Sequence, residues 1–366
     1  MSEAGPPPAA PTPLAQSLAA QIRRDGPIGV DRFMALALAA YYPTRDPFGR
    51  AGDFVTAPEV SQIFGEVLGL WCAQAWQDIG APDPVHLVEL GPGRGTMMAD
   101  MLRAARVLPG FLSAIQVHLV ETSPVLREAQ RRNLEGLAPL AWHDGIAGLP
   151  TGPMLLVANE FLDALPIRQW VRRGARWLER KVGLDQSSRF IFCEGPGTPD
   201  AVLPAAAPEG ALFETAAPAR NIARHIGRRL ATAPGAALFI DYGHAQTGFG
   251  ETLQAVHRHG KVSALDMPGE ADLTSHVDFQ ALGHALADAG ARVFGPETQG
   301  AFLASLGAGQ RAQRLMQGKP DNLREEIAKG LHRLVDPGQM GTIFKVLGAA
   351  SPSVAALPGL AAPKTT

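Results

Sequence analysis

The chain has 366 residues, 46% of them hydrophobic and 19% charged, with a formal net charge of −2. That is enough apolar material for one large α/β domain with insertions or for two domains, and no basic excess marks a nucleic-acid groove or an anionic membrane surface. The only two cysteines, Cys72 and Cys193, exclude a disulfide scaffold or a cysteine-based zinc cluster and fit a reducing compartment.

Residues 1–13 are rich in Pro and Ala, carry Glu3 and no Arg, and read as a disordered tail rather than a secretory signal or mitochondrial presequence. Cytoplasm is the expected compartment. No apolar run reaches the ~20 residues needed to span a bilayer. Helices follow over about 14–24 and 31–41, the second burying Phe33, Leu36 and Ala40. Thr56-Ala57-Pro58-Glu59 reads as a capping box with proline just inside a helix. That helix continues through Ile63, Phe64, Val67, Leu68, Leu70 and Trp71 to a stop at Gly80 and Pro82. Residues 14–80 are thus expected to form one helical region ahead of the first core strand.

Val85 to Leu90 is a buried strand running into Gly91-Pro92-Gly93-Arg94-Gly95, with a helix opening at Thr96. A glycine loop between strand and helix lets backbone N–H groups approach a ligand that a Cβ would hold away. Dinucleotide-binding loops share this plan. Glu89 separates the two cases, because a pyrophosphate at close range in a partly dry site would be repelled by it. A ligand with a cationic end and no phosphate fits better, and S-adenosylmethionine (SAM) is one. The next strand, Ile115 to Val120, closes on Glu121, with Thr122-Ser123-Pro124 opening a helix. An acid at that tip can accept both ribose hydroxyls, in NAD-binding folds as well. A third strand, Pro139 to Trp142, ends in His143-Asp144-Gly145, where the acid can accept from the adenine amino group.

Met154 to Asn159 is a short continuous apolar run, as expected of a buried parallel strand. After it, Gln169–Arg173 and Arg176–Val182 read as a hairpin, joined by Phe190–Cys193 in a small inserted antiparallel sheet. A Pro/Gly/Ala-rich loop over 195–210, a basic helix over 221–230 and a fifth core strand, Ala236–Asp241, come next. A long excursion over 243–274 precedes a helix over 278–290, a strand at 291–294, helices up to Leu334 and a closing strand at 342–347 that can be antiparallel. Alternating strands and helices imply a mainly parallel sheet covered on both faces. The expected organisation is an α/β domain over 81–350, with insertions at about 167–235 and 243–275, and a flexible tail over 351–366.

Ligands of open α/β sheets bind beyond the carboxyl ends of the strands, where strand order reverses. Asn159, Glu160 and Asp163 follow the fourth strand and should face the methyl donor across that crevice. A guanidinium acceptor is matched to carboxylates in bidentate geometry, and Glu160, with Asp163 and Asp241, can orient one. The plainer readings are that Asp163 caps a helix and Asn159 bonds backbone. His257, His259 and His276 lack the spacing of a metal site. The arginines at 172, 173, 176 and 180 read as a solvated face that can also steer an acidic partner. Tyr242 either closes over the acceptor or packs in the core.

Several ordered segments together resemble the MidA-like SAM-dependent methyltransferases. They are Gly52-Asp53-Phe54-Val55-Thr56-Ala57-Pro58-Glu59 with Gln62 and Phe64-Gly65-Glu66, Glu89 to Thr96, Asn159 to Pro166, Asp241-Tyr242-Gly243, Asp272 to Phe279, Thr298-Gln299-Gly300, and Met340-Gly341 with Phe344-Lys345. The resemblance implies a class I methyltransferase fold: a mainly parallel, seven-stranded, Rossmann-like sheet with an N-terminal helical region and an inserted antiparallel element. It also implies that Asp53 and Glu59 lie on segments covering the cofactor. The family includes a mitochondrial protein arginine methyltransferase that helps assemble respiratory complex I, acting on a subunit of its quinone-proximal arm.

The expected cofactor-binding set is Asp53, Thr56, Glu89, Gly91, Gly93, Gly95, Glu121, Ser123, Asp144, Gly145, Asn159 and Glu160. The expected catalytic set is Glu160, Asp163 and Asp241, with no metal. A protein substrate, such as a complex I-type subunit, is the expected partner, with no nucleic acid and no membrane insertion; a homodimer is left open. The competing readings are a small-molecule or other-substrate methyltransferase, a non-catalytic SAM-binding assembly chaperone, and a dehydrogenase.

Overall fold

Six consecutive buried residues, Val85–Leu90, form the strand around which the larger part of the molecule is built. The computed structural model describes residues 12–41, 56–257 and 260–362. They divide into two units, one of residues 56–165, 217–248 and 275–362 and the other of residues 12–41, 166–216, 249–257 and 260–274.

In the larger unit seven strands form the main sheet: β1 (Val85–Leu90), β2 (Ile115–Val120), β3 (Leu140–His143), β4 (Met154–Asn159), β5 (Gly235–His244), β6 (Arg292–Thr298) and β7 (Phe344–Ala350). Their order is β3-β2-β1-β4-β5-β7-β6. The pairs from β3 across to β5 are all parallel. β7 runs antiparallel to both β5 and β6, and the two-residue strand Val277–Asp278 extends the end of β5 in parallel. Strand order reverses between β1 and β4, which places the ligand crevice beyond their carboxyl ends. Both strands are buried on both faces, as a parallel sheet sandwiched between helices requires.

The helix Gln62–Asp78 is buried almost all round, and Gly69 explains how closely it lies on the helix Thr96–Ala105: a Cβ there would sit 2.5 Å from the Met101 carbonyl oxygen. Leu70, expected in the apolar stripe, is instead exposed. The expected single helix opening at Thr56 is broken: Ala57–Val60 is one turn, and Ser61, in an extended conformation, caps Gln62–Asp78 by accepting the Ile63 N–H. Residues 351–362, expected within a flexible tail, pack instead. Val354 and Leu357 are buried in the core, and the Trp71 indole N–H donates to the Pro358 carbonyl.

The smaller unit holds the helices Pro13–Asp25 and Val30–Tyr41 and the hairpin Arg168–Arg173/Arg176–Leu184. Ile28–Gly29, Phe190–Gly195 and Leu212–Thr215 add to this hairpin, all antiparallel. A second, three-stranded sheet is made by Gln254–His257, Gly260–Val262 and Asp272–Thr274. Leu18, Ile22, Phe33, Met34, Ala37, Ile167, Val182 and Leu273 build the core. The helix Val30–Tyr41 turns Val30, Phe33, Met34, Ala37, Leu38 and Tyr41 inward, so Leu36 and Ala40 flank the stripe rather than centre it.

Two expected boundaries change. The region 14–80 is split, its first two helices lying with the hairpin and Gln62–Asp78 with the seven-stranded sheet. The first insertion ends at Ala216, because the helix Ala217–Thr232 belongs with that sheet. The arginine-bearing hairpin is more engaged than a solvated face: Arg180 pairs with Glu251 at 2.7 Å and lies 3.7 Å over the Phe192 ring.

Candidate active site

A cleft at the carboxyl ends of β1 and β4 is lined by Thr56, Pro58, Glu59, Glu89, Gly91, Pro92, Gly93, Arg94, Thr96, Met97, Asn159 and Glu160. The loop after β1 turns on Gly91, Gly93 and Gly95, at φ +63°, +53° and +81°. Gly91 is also a point of close approach, since a Cβ there would meet the Phe161 ring at 2.8 Å. The helix Thr96–Ala105 that follows has no side-chain cap, so its first N–H groups are open to a ligand.

Glu89 is 2% exposed, and its Oε2 has no hydrogen-bond partner among the described residues. Burial raises its pKa to about 8. A buried carboxylate without a donor is costly to ionise and is relieved by a cation or a donor from a ligand. Asn159 Oδ1 is likewise buried and unpaired. Two orphaned acceptors at adjacent strand ends, beside a glycine-cornered loop, suit the ammonium end of SAM.

Glu160 has φ +49°, a left-handed conformation costly for a residue with a side chain and found where surrounding structure imposes it. Its Oε1 accepts from the Ala57 N–H (2.9 Å) and from Asn159 Nδ2 (3.1 Å). Burial, partly offset by the Ala57 N–H, lifts its pKa to about 7. Asp163, 6% exposed, accepts from the Tyr242 hydroxyl, and burial raises its pKa. Asp241 is 1% exposed; its Oδ2 accepts the N–H groups of Phe161 (3.2 Å), Leu162 (3.0 Å) and Asp163 (3.2 Å), and its Oδ1 that of Tyr242 (3.0 Å). Burial and the nearby charges of Asp163 and Glu160 push its pKa upward. The expected catalytic trio is brought together, but with unequal freedom. Asp241 spends both oxygens on backbone donors and anchors the loop, whereas Glu160 keeps one oxygen open.

Glu59 also departs from expectation. No capping box forms: the Thr56 side chain makes no cap hydrogen bond, and Glu59 Oε1 accepts from Thr96 Oγ1 at 2.7 Å, joining the 57–60 turn to the helix after the glycine loop. Asp53 and His259 lie outside the described residues.

At the next strand end, Glu121 Oε1 accepts the Ser123 N–H (2.8 Å) and Oε2 faces Gln130 Nε2 (3.4 Å). Burial raises the Glu121 pKa. Ser123, expected to touch the cofactor, is 2% exposed and caps the helix Pro124–Leu134 through the Leu126 N–H. Asp144 is exposed and paired with Arg127 at 2.5 Å, and Gly145 precedes the short helix Ile146–Gly148. Glu121, Ser123, Asp144 and Gly145 follow β2 and β3 and are not among the residues lining the cleft at β1 and β4.

Sequence reasoning missed Gln130, fully buried, whose Nε2 donates to the Gly93 carbonyl (2.7 Å) and whose Oε1 accepts from the Trp142 indole (2.8 Å). The signal was a glutamine at helical spacing between Leu126 and Leu134, in an otherwise apolar stripe. It also missed a chain of imidazoles across β1, β2 and β3: His86 Nδ1 to His118 Nε2, and His118 Nδ1 to His143 Nε2, each 3.0 Å, ending on the Thr151 carbonyl (3.1 Å from His86 Nε2). A carbonyl only accepts, so the neutral chain has one polarity, with every Nε2 protonated. Tyr242 meets the rings of His276 and Phe344 edge-on at 5.4 and 5.6 Å. Among the described residues, no group of three or more His, Cys, Asp or Glu is arranged to hold a metal ion.

A model of an S-adenosyl-L-methionine-dependent methyltransferase family matches residues 67–297. The chain belongs to this MidA-like SAM-dependent methyltransferase family. Similar relatives are the protein arginine methyltransferase NDUFAF7, mitochondrial, of Danio rerio, 34% identical and covering 91% of this chain and 85% of its own length, and the NDUFAF7 homolog of Drosophila melanogaster, 36% identical over 91% and 84%. A solved superfamily member from Burkholderia thailandensis, bound to S-adenosyl-homocysteine, is 29% identical with a TM-score of 0.82, covering 96% of this chain and 97% of that one. This methyltransferase therefore uses SAM, and the chemistry of its cleft agrees. No helix among the described residues is long and apolar enough to cross a membrane.

Proposed function

We propose that this methyltransferase transfers the methyl group to an arginine side chain of a protein. The carrying observation is Glu160: one carboxylate oxygen is pinned by the Ala57 N–H and Asn159, and Oε2 takes no hydrogen bond among the described residues. It lines the same cleft as Glu89 and the glycine loop, with Asp163 electrostatically close behind it. A carboxylate held on one edge and open on the other is built to accept from a planar cation.

In this reading Glu89 and the N–H groups after Gly91 hold the methionine end of the cofactor, Glu121 the ribose and Asp144 the adenine amino group. Thr56 and Asn159 border the same ligand. When bound, SAM supplies an electrophilic methyl carbon. Glu160 orients the guanidinium so that one nitrogen faces that carbon; near-attack placement supplies most of the acceleration such a displacement needs. The proton that leaves the methylated nitrogen passes to Glu160, whose pKa near 7 suits it as acceptor. Asp163, held by Tyr242, adds negative charge behind Glu160. Relatives named as protein arginine methyltransferases support the acceptor class. The MidA-like resemblance adds a subunit of the quinone-proximal arm of complex I as the first substrate to try.

The test is incubation with methyl-labelled SAM and that subunit, followed by peptide mass mapping. A mass gain on arginine is expected, and gain only on another residue type, or none on any protein offered, contradicts the reading.

A further inference from the structure

Arg127 sits between the two strand ends assigned above to the adenosine. Its Nε donates to the Glu121 carbonyl oxygen at 2.7 Å, and its Nη2 reaches the same oxygen. Nη2 also pairs with Asp144 Oδ1 at 2.5 Å, and its charge favours the ionised Glu121 carboxylate. One guanidinium therefore ties the main chain at the end of β2 to the side chain after β3. The arginine is itself held down: its side chain is 22% exposed, whereas that of Asp144 is 90% exposed. An aspartate so exposed has no packing to fix its rotamer, and a free rotamer costs entropy whenever a ligand must order it. The backbone before it needs no such help, because the His143 carbonyl already accepts the Glu121 N–H at 3.0 Å.

We propose that Arg127 is a positioning residue for adenine recognition. By holding Oδ1 it presents Asp144 Oδ2, which takes no hydrogen bond among the described residues, toward the exocyclic amino group of the base. The proposal rests on the assignment of Asp144 to adenine, and it makes selectivity for a 6-amino over a 6-oxo purine depend on a residue that never touches the ligand.

The test compares dissociation constants of S-adenosyl-homocysteine and S-inosyl-homocysteine by calorimetry, for the native protein and for R127M, R127Q and D144N. The inosyl compound carries a carbonyl where the amino group stands, so it loses the donor and meets a carboxylate. The native protein should favour the adenosyl ligand by about tenfold or more, the range of a hydrogen bond to a charged group. In R127M and R127Q that ratio should fall toward one. A merely structural role would weaken both ligands alike and leave the ratio in place. Loss of Arg127 leaves Asp144 solvated, so folded R127M is expected; R127Q keeps a donor of neutral charge as a second variant. If D144N collapses the ratio and both Arg127 variants preserve it, the positioning role is overturned while the adenine assignment stands. If D144N leaves the ratio unchanged, the assignment itself fails and the proposal with it.

Discussion

The Ala57 N–H donates to Glu160 Oε1 across 2.9 Å, joining residues 103 positions apart in sequence. This bond fixes the orientation of an acidic side chain in the cleft that combines a held edge with an open one. Glu160→Gln keeps an oxygen for Ala57 and the shape of the residue, but removes the charge that orients a cation and accepts a proton. Methyl transfer should fall at least about a hundredfold, the usual scale for a lost general base, while SAM affinity measured by calorimetry changes little. Retained activity in this variant would return the site to a scaffold role.

With Glu89 holding the SAM ammonium as proposed, cofactor binding is proton-linked. The Glu89 pKa near 8 in the free protein means that the carboxyl is mostly protonated at neutral pH. A cationic ligand draws it toward the ionised form. Binding at pH 7 should therefore release up to one proton, read as a dependence of the calorimetric enthalpy on buffer ionisation. Affinity should rise up to tenfold per pH unit toward pH 8 and then level off, with Glu89→Gln losing the proton release.

The imidazole chain predicts an acid-labile fold. Burial and the neighbouring His86, His143 and Arg229 depress the His118 pKa to about 4, and burial depresses that of His86. A depressed histidine holds fewer protons folded than unfolded. Its contribution is complete above the unfolded value of about 6.5 and is lost as pH falls from there toward 4. For His118 alone this amounts to on the order of 3 kcal/mol. Thermal melts at pH 7.5, 6 and 5 should show a falling midpoint, and nitrogen NMR at neutral pH should find the Nε2-protonated tautomer in all three rings. A midpoint flat over that range would refute the linkage.

Gly91→Ala would place a methyl 2.8 Å from the Phe161 ring and hold a non-glycine residue at φ +63°. The expected result is a cost of about 1–3 kcal/mol in stability together with a larger loss of SAM affinity than the melt alone predicts. Phe161→Leu in the same chain should restore part of the affinity by relieving the contact, but not the backbone cost.

Asp241→Asn tests the anchoring role. Three backbone N–H groups converge on Oδ2 and a fourth on Oδ1, and an amide supplies only one oxygen. Melting should drop by about 1–3 kcal/mol, with transfer and stability lost together, in contrast to Glu160→Gln, where stability persists.

The sheet was legible because its signals are local. The mostly apolar runs at Val85–Leu90 and Met154–Asn159 mark buried parallel strands, and Glu121 marks the end of the second. What was not legible depends on contacts distant in sequence. Ser61 breaks a helix that Thr56-Ala57-Pro58-Glu59 predicts as continuous, and Glu59 leaves its own helix to bind Thr96. Asp241 looks as available as Glu160 in sequence, because an acid at a strand end gives no sign that loop amides already fill its lone pairs. The tail beyond β7 looked loose because its Pro, Ser and Gly content hides the spacing of Val354, Leu357 and Leu360, which dock on the core.

The cleft is proposed to pair a cationic methyl donor with a cationic acceptor through separate carboxylates. The most direct test is single-turnover transfer from methyl-labelled SAM to an arginine-containing protein substrate, with the modified residue located by fragmentation mass spectrometry and Glu160→Gln run in parallel. The prediction is label on an arginine nitrogen in the native protein and almost none in the variant. Label on a lysine, carboxylate or small molecule, or equal transfer by both proteins, would contradict it.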